Sequence, residues 1–73
     1  MAPSLEQRLG DAVREFRREQ GITQEQLSES SGLHVTYIAG IETGRRNPSL
    51  KSLVALANGL SVKVSELLAR MGS

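Results

Sequence analysis

The chain predicts an all-α fold, a compact bundle of five helices in 73 residues, and three observations carry that prediction. Apolar residues recur three and four positions apart along nearly the whole length, and no stretch alternates with the period of two that a strand requires. Serine or threonine with glutamine three residues later stands twice at the head of such a stretch, which is capping-box spacing. Glycine falls where three of the apolar stripes end, at Gly21, Gly32 and Gly44.

Ser4 and Gln7 form the first capping-box pair, and Leu5, Leu9, Ala12, Val13 and Phe16 then share one face of a helix that runs to about residue 20. Arg8, Asp11, Arg14, Glu15, Arg18 and Glu19 take the other face. Phe16, the sole phenylalanine, is expected at the centre of the core, because one buried aromatic is a large share of the apolar area a small domain can hide. A second helix starts after Thr23, with Gln26 in capping-box register and Ile22 and Leu27 spaced as a hydrophobic staple. Gly32 then turns the chain, and Leu33, Ile38 and Ile41 resume the stripe until Gly44 stops it. Residues 23–43 therefore read as two short helices joined by a tight turn, and the rest of the chain is organised around them. Val35, Thr36, Tyr37, Ala39 and Gly40 lie off the stripe, so a helix packed through Ile38 and Ile41 offers most of them to a partner.

Pro48 biases Asn47 away from helical geometry, and Ser49 can cap a helix starting at residue 50. Leu50, Leu53, Val54, Leu56, Ala57 and Leu60 give this fourth helix a wide apolar face. A fifth, about residues 64–70, carries Leu67 and Leu68, with Val62 and Val64 leading into it.

The length is that of a single domain, residues 1–73, at the small end of what folds without staples. With no cysteine, neither disulfides nor a thiolate metal site is expected to supply one. No apolar run reaches the roughly 20 residues of a membrane span, and no secretion signal opens the sequence, so a cytoplasmic location with no membrane partner is expected. The net charge of +1 says little, but its distribution says more. Residues 1–42 hold four arginines against seven carboxylates, whereas residues 43–73 hold five cations against Glu66 alone. The basic excess begins just after the central helix pair, where a polyanion lying on the third helix would meet it; ordinary charge scatter on a solvated surface is the alternative.

The motifs I-T-Q-E-Q-L at 22–27, S-G-L at 31–33, Y-I-A-G-I-E-T-G at 37–44, R-N-P-S-L at 46–50 and L-x-x-L-A at 53–57 resemble the Cro/C1-repressor type of helix-turn-helix, the XRE family. The resemblance spans about residues 5–68 and implies a lambda-repressor-like helix-turn-helix domain. Within that family, T-Y-I-A-G-I-E followed by R-R-N is similar to the controller proteins of bacterial restriction-modification systems, which are short all-helical dimers.

Carried over residue by residue, the resemblance implies base contacts from Val35, Thr36, Tyr37 and Arg46, and phosphate contacts from Gln24, His34, Arg45, Asn47 and Lys51. Gln24 would also brace the third helix, whose usual N-cap position is held by His34. Thr36 can donate or accept at a base edge, while Val35 offers only apolar contact, for instance to a thymine methyl, where many relatives carry a long polar side chain. Tyr37 would reach a phosphate, stack along the groove wall or pack on a neighbouring helix. Gly40 costs roughly 1 kcal/mol in a helix interior relative to alanine, and its missing side chain would admit either DNA or a neighbouring helix. Arg17 and Glu42 match a structural salt bridge, and Lys63 and Ser61 depart from residues that relatives use around the last helix. The dimer surface is expected on the last helix and its approach, from Val62, Val64, Leu67, Leu68 and Met71.

The implied function is a sequence-specific, double-stranded DNA-binding transcriptional regulator acting as a homodimer on a two-fold symmetric operator. The second reading is a protein-interaction module on the same fold, such as the antitoxin of a toxin–antitoxin pair. One histidine, no cysteine and no phosphate-cradling glycine loop leave little from which to build an enzyme site, and no cofactor, metal or small-molecule ligand is expected.

Overall fold

Side-chain caps begin four of the five helices. The computed structural model describes residues 2–72 and contains α1 Leu5–Glu19, α2 Gln24–Ser31, α3 Val35–Glu42, α4 Leu50–Gly59 and α5 Val64–Arg70. Both predicted capping boxes are formed. The Gln7 N–H donates to Ser4 Oγ at 3.1 Å and the Ser4 N–H to Gln7 Oε1 at 3.0 Å; the Gln26 N–H donates to Thr23 Oγ1 at 3.1 Å and the Thr23 N–H to Gln26 Oε1 at 2.8 Å. Ser49 Oγ caps α4 by accepting from the Ser52 N–H at 3.1 Å, and His34 Nδ1 caps α3 by accepting from the Thr36 N–H at 3.1 Å. Each cap satisfies a donor that the helix leaves open, which contributes about 1 kcal/mol. Lys63 has no acceptor to offer, so α5 begins with only the returning half of a box, the Lys63 N–H donating to Glu66 Oε1 at 3.0 Å.

Three helices end in the same way, the N–H two residues past the cap reaching back five positions: Ile22 to Arg17 O at 3.1 Å, Arg45 to Gly40 O at 2.8 Å, and Val62 to Ala57 O at 2.9 Å. That turn needs a left-handed residue. Gly44 supplies it after α3 with φ +78°, whereas after α4 the position is held by Ser61, at φ +57°. Ser61 thus sits where a side chain is strained by about 1–2 kcal/mol.

α1 packs on α3, and α2 packs on both α3 and α4. Leu27, Ile38, Ile41, Leu56, Leu60, Leu67 and Val13 are fully buried at the centre. Two glycines permit the close approaches. A Cβ on Gly10 would collide with the carbonyl oxygens of Ile41 and Glu42 at the end of α3, and one on Gly59 would lie 2.8 Å from Ser31 Cβ in α2.

The packing corrects several expectations. Phe16 is buried in the core but is not among its fully enclosed residues: it is 8 % exposed, with the Arg70 guanidinium 4.0 Å from its ring centroid. Its large flat ring can bury one side and still offer the other to a cation. Leu5, Leu50 and Val54, which the apolar stripes assign to the core, instead face solvent, at 60, 75 and 40 % exposure. α4 turns Leu56, Ala57 and Leu60 inward, and the stripe is wider than the surface it meets. Leu67, expected at a dimer surface, is fully buried: α5 has only seven residues, and Leu67 is the one that anchors it in the core. Val62, Val64 and Met71 are half-buried against the same core, while Leu68 is 47 % exposed. Among the described residues, no single helix is long and apolar enough to cross a membrane.

Candidate nucleic-acid interface

The turn between α2 and α3 is pinned from both sides. Ser28 accepts the Gly32 N–H on its backbone oxygen at 2.9 Å and donates its hydroxyl to Leu33 O at 2.6 Å, while Ser31 Oγ accepts from the Leu33 N–H at 3.1 Å. Gly32, at φ +79°, supplies the left-handed step. Sequence reasoning misses Ser28 and Ser31; three serines in the Q-E-Q-L-S-E-S-S run just before a glycine are the signal, since serine hydroxyls readily bond nearby backbone. Ser30 extends the bracing by donating to Gly59 O at 3.0 Å, tying α2 to α4.

Behind α3 lies a buried ion pair. Arg17 donates through Nε to Glu42 Oε2 at 2.8 Å and through Nη2 to Glu42 Oε1 at 3.1 Å. Glu42 is 4 % exposed, and Gln24 Nε2 donates to the same Oε1 at 3.1 Å. A third Arg17 nitrogen, Nη1, donates to Ile22 O at 3.0 Å. The bond to Glu42 is the main influence lifting the Arg17 pKa above its ordinary value, against a smaller opposing effect of burial. One carboxylate thereby joins α1, α2 and α3. Gln24 is half-buried in this role and keeps a second amide hydrogen for an outside acceptor.

The front of α3 is open. Thr36 is exposed, and Val35, Tyr37, Ala39 and Gly40 are half-buried, with Tyr37 packed on the core through part of its ring. Thr36, Ala39, Gly40, Thr43, Arg45 and Arg46 line a concavity of about 320 Å³. Arg45, Arg46, Asn47 and Lys51 are all exposed, and neither Arg45 nor Arg46 meets a carboxylate among the described residues, unlike Arg14, Arg17 and Arg70. The backbone turn that ends α3 sets both arginines beside it: the N–H groups of Arg45 and Arg46 share the Gly40 carbonyl, at 2.8 and 3.1 Å. Exposed His34 holds the start of the same helix.

A short helix, capped at its start, braced from behind and bordered by cations that meet no carboxylate among the described residues, is built to be laid on a polyanion, and the class this describes is the helix-turn-helix DNA-binding domain. Residues 13–67 match the helix-turn-helix family model HTH_3, and the chain belongs to that family; it is a DNA-binding transcriptional regulator of the XRE type. It is 45 % identical to the control protein C.SmaI of Serratia marcescens over 64 residues, 88 % of this chain and 76 % of that one. The crystal structure of the restriction-modification controller protein C.AhdI from Aeromonas hydrophila superimposes with a TM-score of 0.82 at 39 % identity, covering 85 % of this chain and 94 % of that one. The clp gene regulator ClgR from C. glutamicum gives a TM-score of 0.89 at 31 % identity, over 96 % and 91 % of the two chains.

Proposed function

We propose that the chain acts as a homodimeric controller of a restriction-modification system, binding a two-fold symmetric operator with α3 in the major groove. The observation that carries the reading is the open concave face of α3 with the unpaired Arg45 and Arg46 at its edge. In this reading Thr36, Tyr37, Val35 and Arg46 meet base edges, whereas Arg45, Asn47, Lys51, Gln24 and His34 meet phosphates and set the register. Glu42 is scaffold, since its oxygens are already occupied by Arg17 and Gln24, and no residue is assigned a catalytic part.

One helix reads only a few base pairs, so specificity calls for a second copy about one helical turn, ~34 Å, away. A protomer of 34 × 23 × 22 Å suits that spacing. The surface for the partner is apolar and unfilled. Leu5, Leu9, Leu53, Leu68 and Met71 line a groove of about 160 Å³ together with Glu6, Asn47 and Pro48, and Leu50 and Val54 on α4 are exposed as well. Of the residues first expected there, Leu68 and Met71 line this groove and are proposed for the contact; Leu67 is fully buried and is not, and Val62 and Val64 pack on the core.

Selection of bound sequences from a random duplex pool at near-physiological salt tests the reading. A symmetric site bound by two protomers is expected. No enriched sequence, at concentrations where the chain is folded, would overturn it. Leu68→Ser, at an exposed position, is expected to shift sedimentation toward monomer while leaving the melting temperature of the monomer nearly unchanged.

A further inference from the structure

Gly40 stands in the middle of α3, where glycine weakens a helix, yet nothing about the backbone there calls for a left-handed residue. What its missing side chain admits in this structure is one side chain from the loop that follows α3. A Cβ at Gly40 would lie 2.5 Å from Arg46 Cγ, 3.5 Å from Arg46 Cβ and 3.6 Å from Arg46 Cδ. The three nearest atoms all belong to the side chain of Arg46, the residue whose backbone N–H already donates to the Gly40 carbonyl at 3.1 Å. The aliphatic stem of Arg46 therefore lies across α3 in the space a side chain at position 40 would fill, and the guanidinium starts from the helix surface instead of the loop tip.

We infer that Gly40 is a positioning residue for base recognition: by lacking a side chain it seats Arg46 on the recognition helix, so that Arg46 reads the base that residue 40 itself would otherwise meet. The inference rests on the DNA-binding role given to Arg46 above. A Cβ at position 40 requires Arg46 Cγ to move, and a change of χ1 rotamer, the move available to an exposed side chain, swings the guanidinium away, although alanine there favours the helix.

Five proteins test this, wild type, Gly40→Ala, Gly40→Ser, Arg46→Ala and the double variant Gly40→Ala/Arg46→Ala, on the selected operator and a panel of its single-base substitutions, with affinity read by fluorescence anisotropy at one salt concentration. Arg46→Ala is expected to weaken binding about tenfold and to abolish the preference at one base pair of each half-site. Gly40→Ala is expected to melt no lower than wild type, to weaken binding by a similar factor, and to lose preference at that same base pair. The double variant is expected to bind no more weakly than Arg46→Ala alone. Gly40→Ser, with the same Cβ, is expected to behave as Gly40→Ala. The inference falls if Gly40→Ala and Gly40→Ser keep wild-type affinity and base preference while Arg46→Ala does not. It also falls if Gly40→Ala weakens binding equally with and without Arg46, for then the glycine serves the approach of DNA itself. Wild-type behaviour of Arg46→Ala would instead remove Arg46 from the interface and overturn the reading beneath.

Discussion

Replacing Arg17 by methionine keeps most of the aliphatic stem but deletes its three side-chain hydrogen bonds. Two of them end on Glu42, whose side chain is 3 % exposed against 15 % for Arg17, so the carboxylate is left inside the protein with Gln24 as its remaining side-chain donor. Removing one partner of a buried pair costs about 3–5 kcal/mol; because Gln24 stays as a donor to the carboxylate, the lower figure, about 3 kcal/mol, is expected. A domain of 73 residues has about 4–11 kcal/mol in total. The loss corresponds to a fall in melting temperature on the order of 12–24 °C. Urea unfolding followed by far-UV circular dichroism should show a lower midpoint with the slope unchanged. Arg17→Met combined with Glu42→Leu should recover most of the loss, since a buried pair exchanged for apolar side chains of similar volume is often neutral. A single-variant loss below about 1 kcal/mol, the range of an exposed pair, would refute the argument that this carboxylate holds α1, α2 and α3 together.

Gly10→Ala pits a helix-propensity gain of about 1 kcal/mol against overpacking of about 1–3 kcal/mol, and the colliding atoms are backbone carbonyls of α3 that cannot rotate aside, so a net loss in urea unfolding is expected. Ser61→Gly relieves the left-handed serine and is expected to stabilise by about 0.5–1 kcal/mol; an unchanged or lower melting temperature would show that the strain is absent. Arg70 bonds to both oxygens of Glu19 and holds its carboxyl below the ordinary 4.5. A lowered folded value gives stability that is present above 4.5 and lost as pH falls through the folded value, so Arg70→Met is expected to flatten the acid limb of a plot of melting temperature against pH, and an unaltered limb would count against the pair.

Where the chain is helical is set by local chemistry alone. The Ser4–Gln7 and Thr23–Gln26 boxes, the apolar spacing and the glycine stops act within a turn or two of sequence, so all five helices and the helix-turn-helix are legible before any packing is known. The open face of α3 follows from the same periodicity, because Ile38 and Ile41 point one way and Thr36 the other, whereas the DNA contacts expected of it come from the family resemblance. What tertiary structure decided was how far each stripe is used. Leu50 and Leu60 look alike in sequence, yet one is 75 % exposed and the other fully buried, because the width of a helix contact is set by the neighbouring helices. Leu67 and Leu68 are adjacent and equally apolar, and only the docking angle of α5 sends the first into the core and leaves the second outside. The same holds for the glycines: spacing marks Gly44 as a stop, but nothing local says that Gly10 admits the carbonyls of α3 or that Gly40 makes room for Arg46. Those are meetings of residues 31 and six positions apart, and they exist only once the backbone has brought the two sites together.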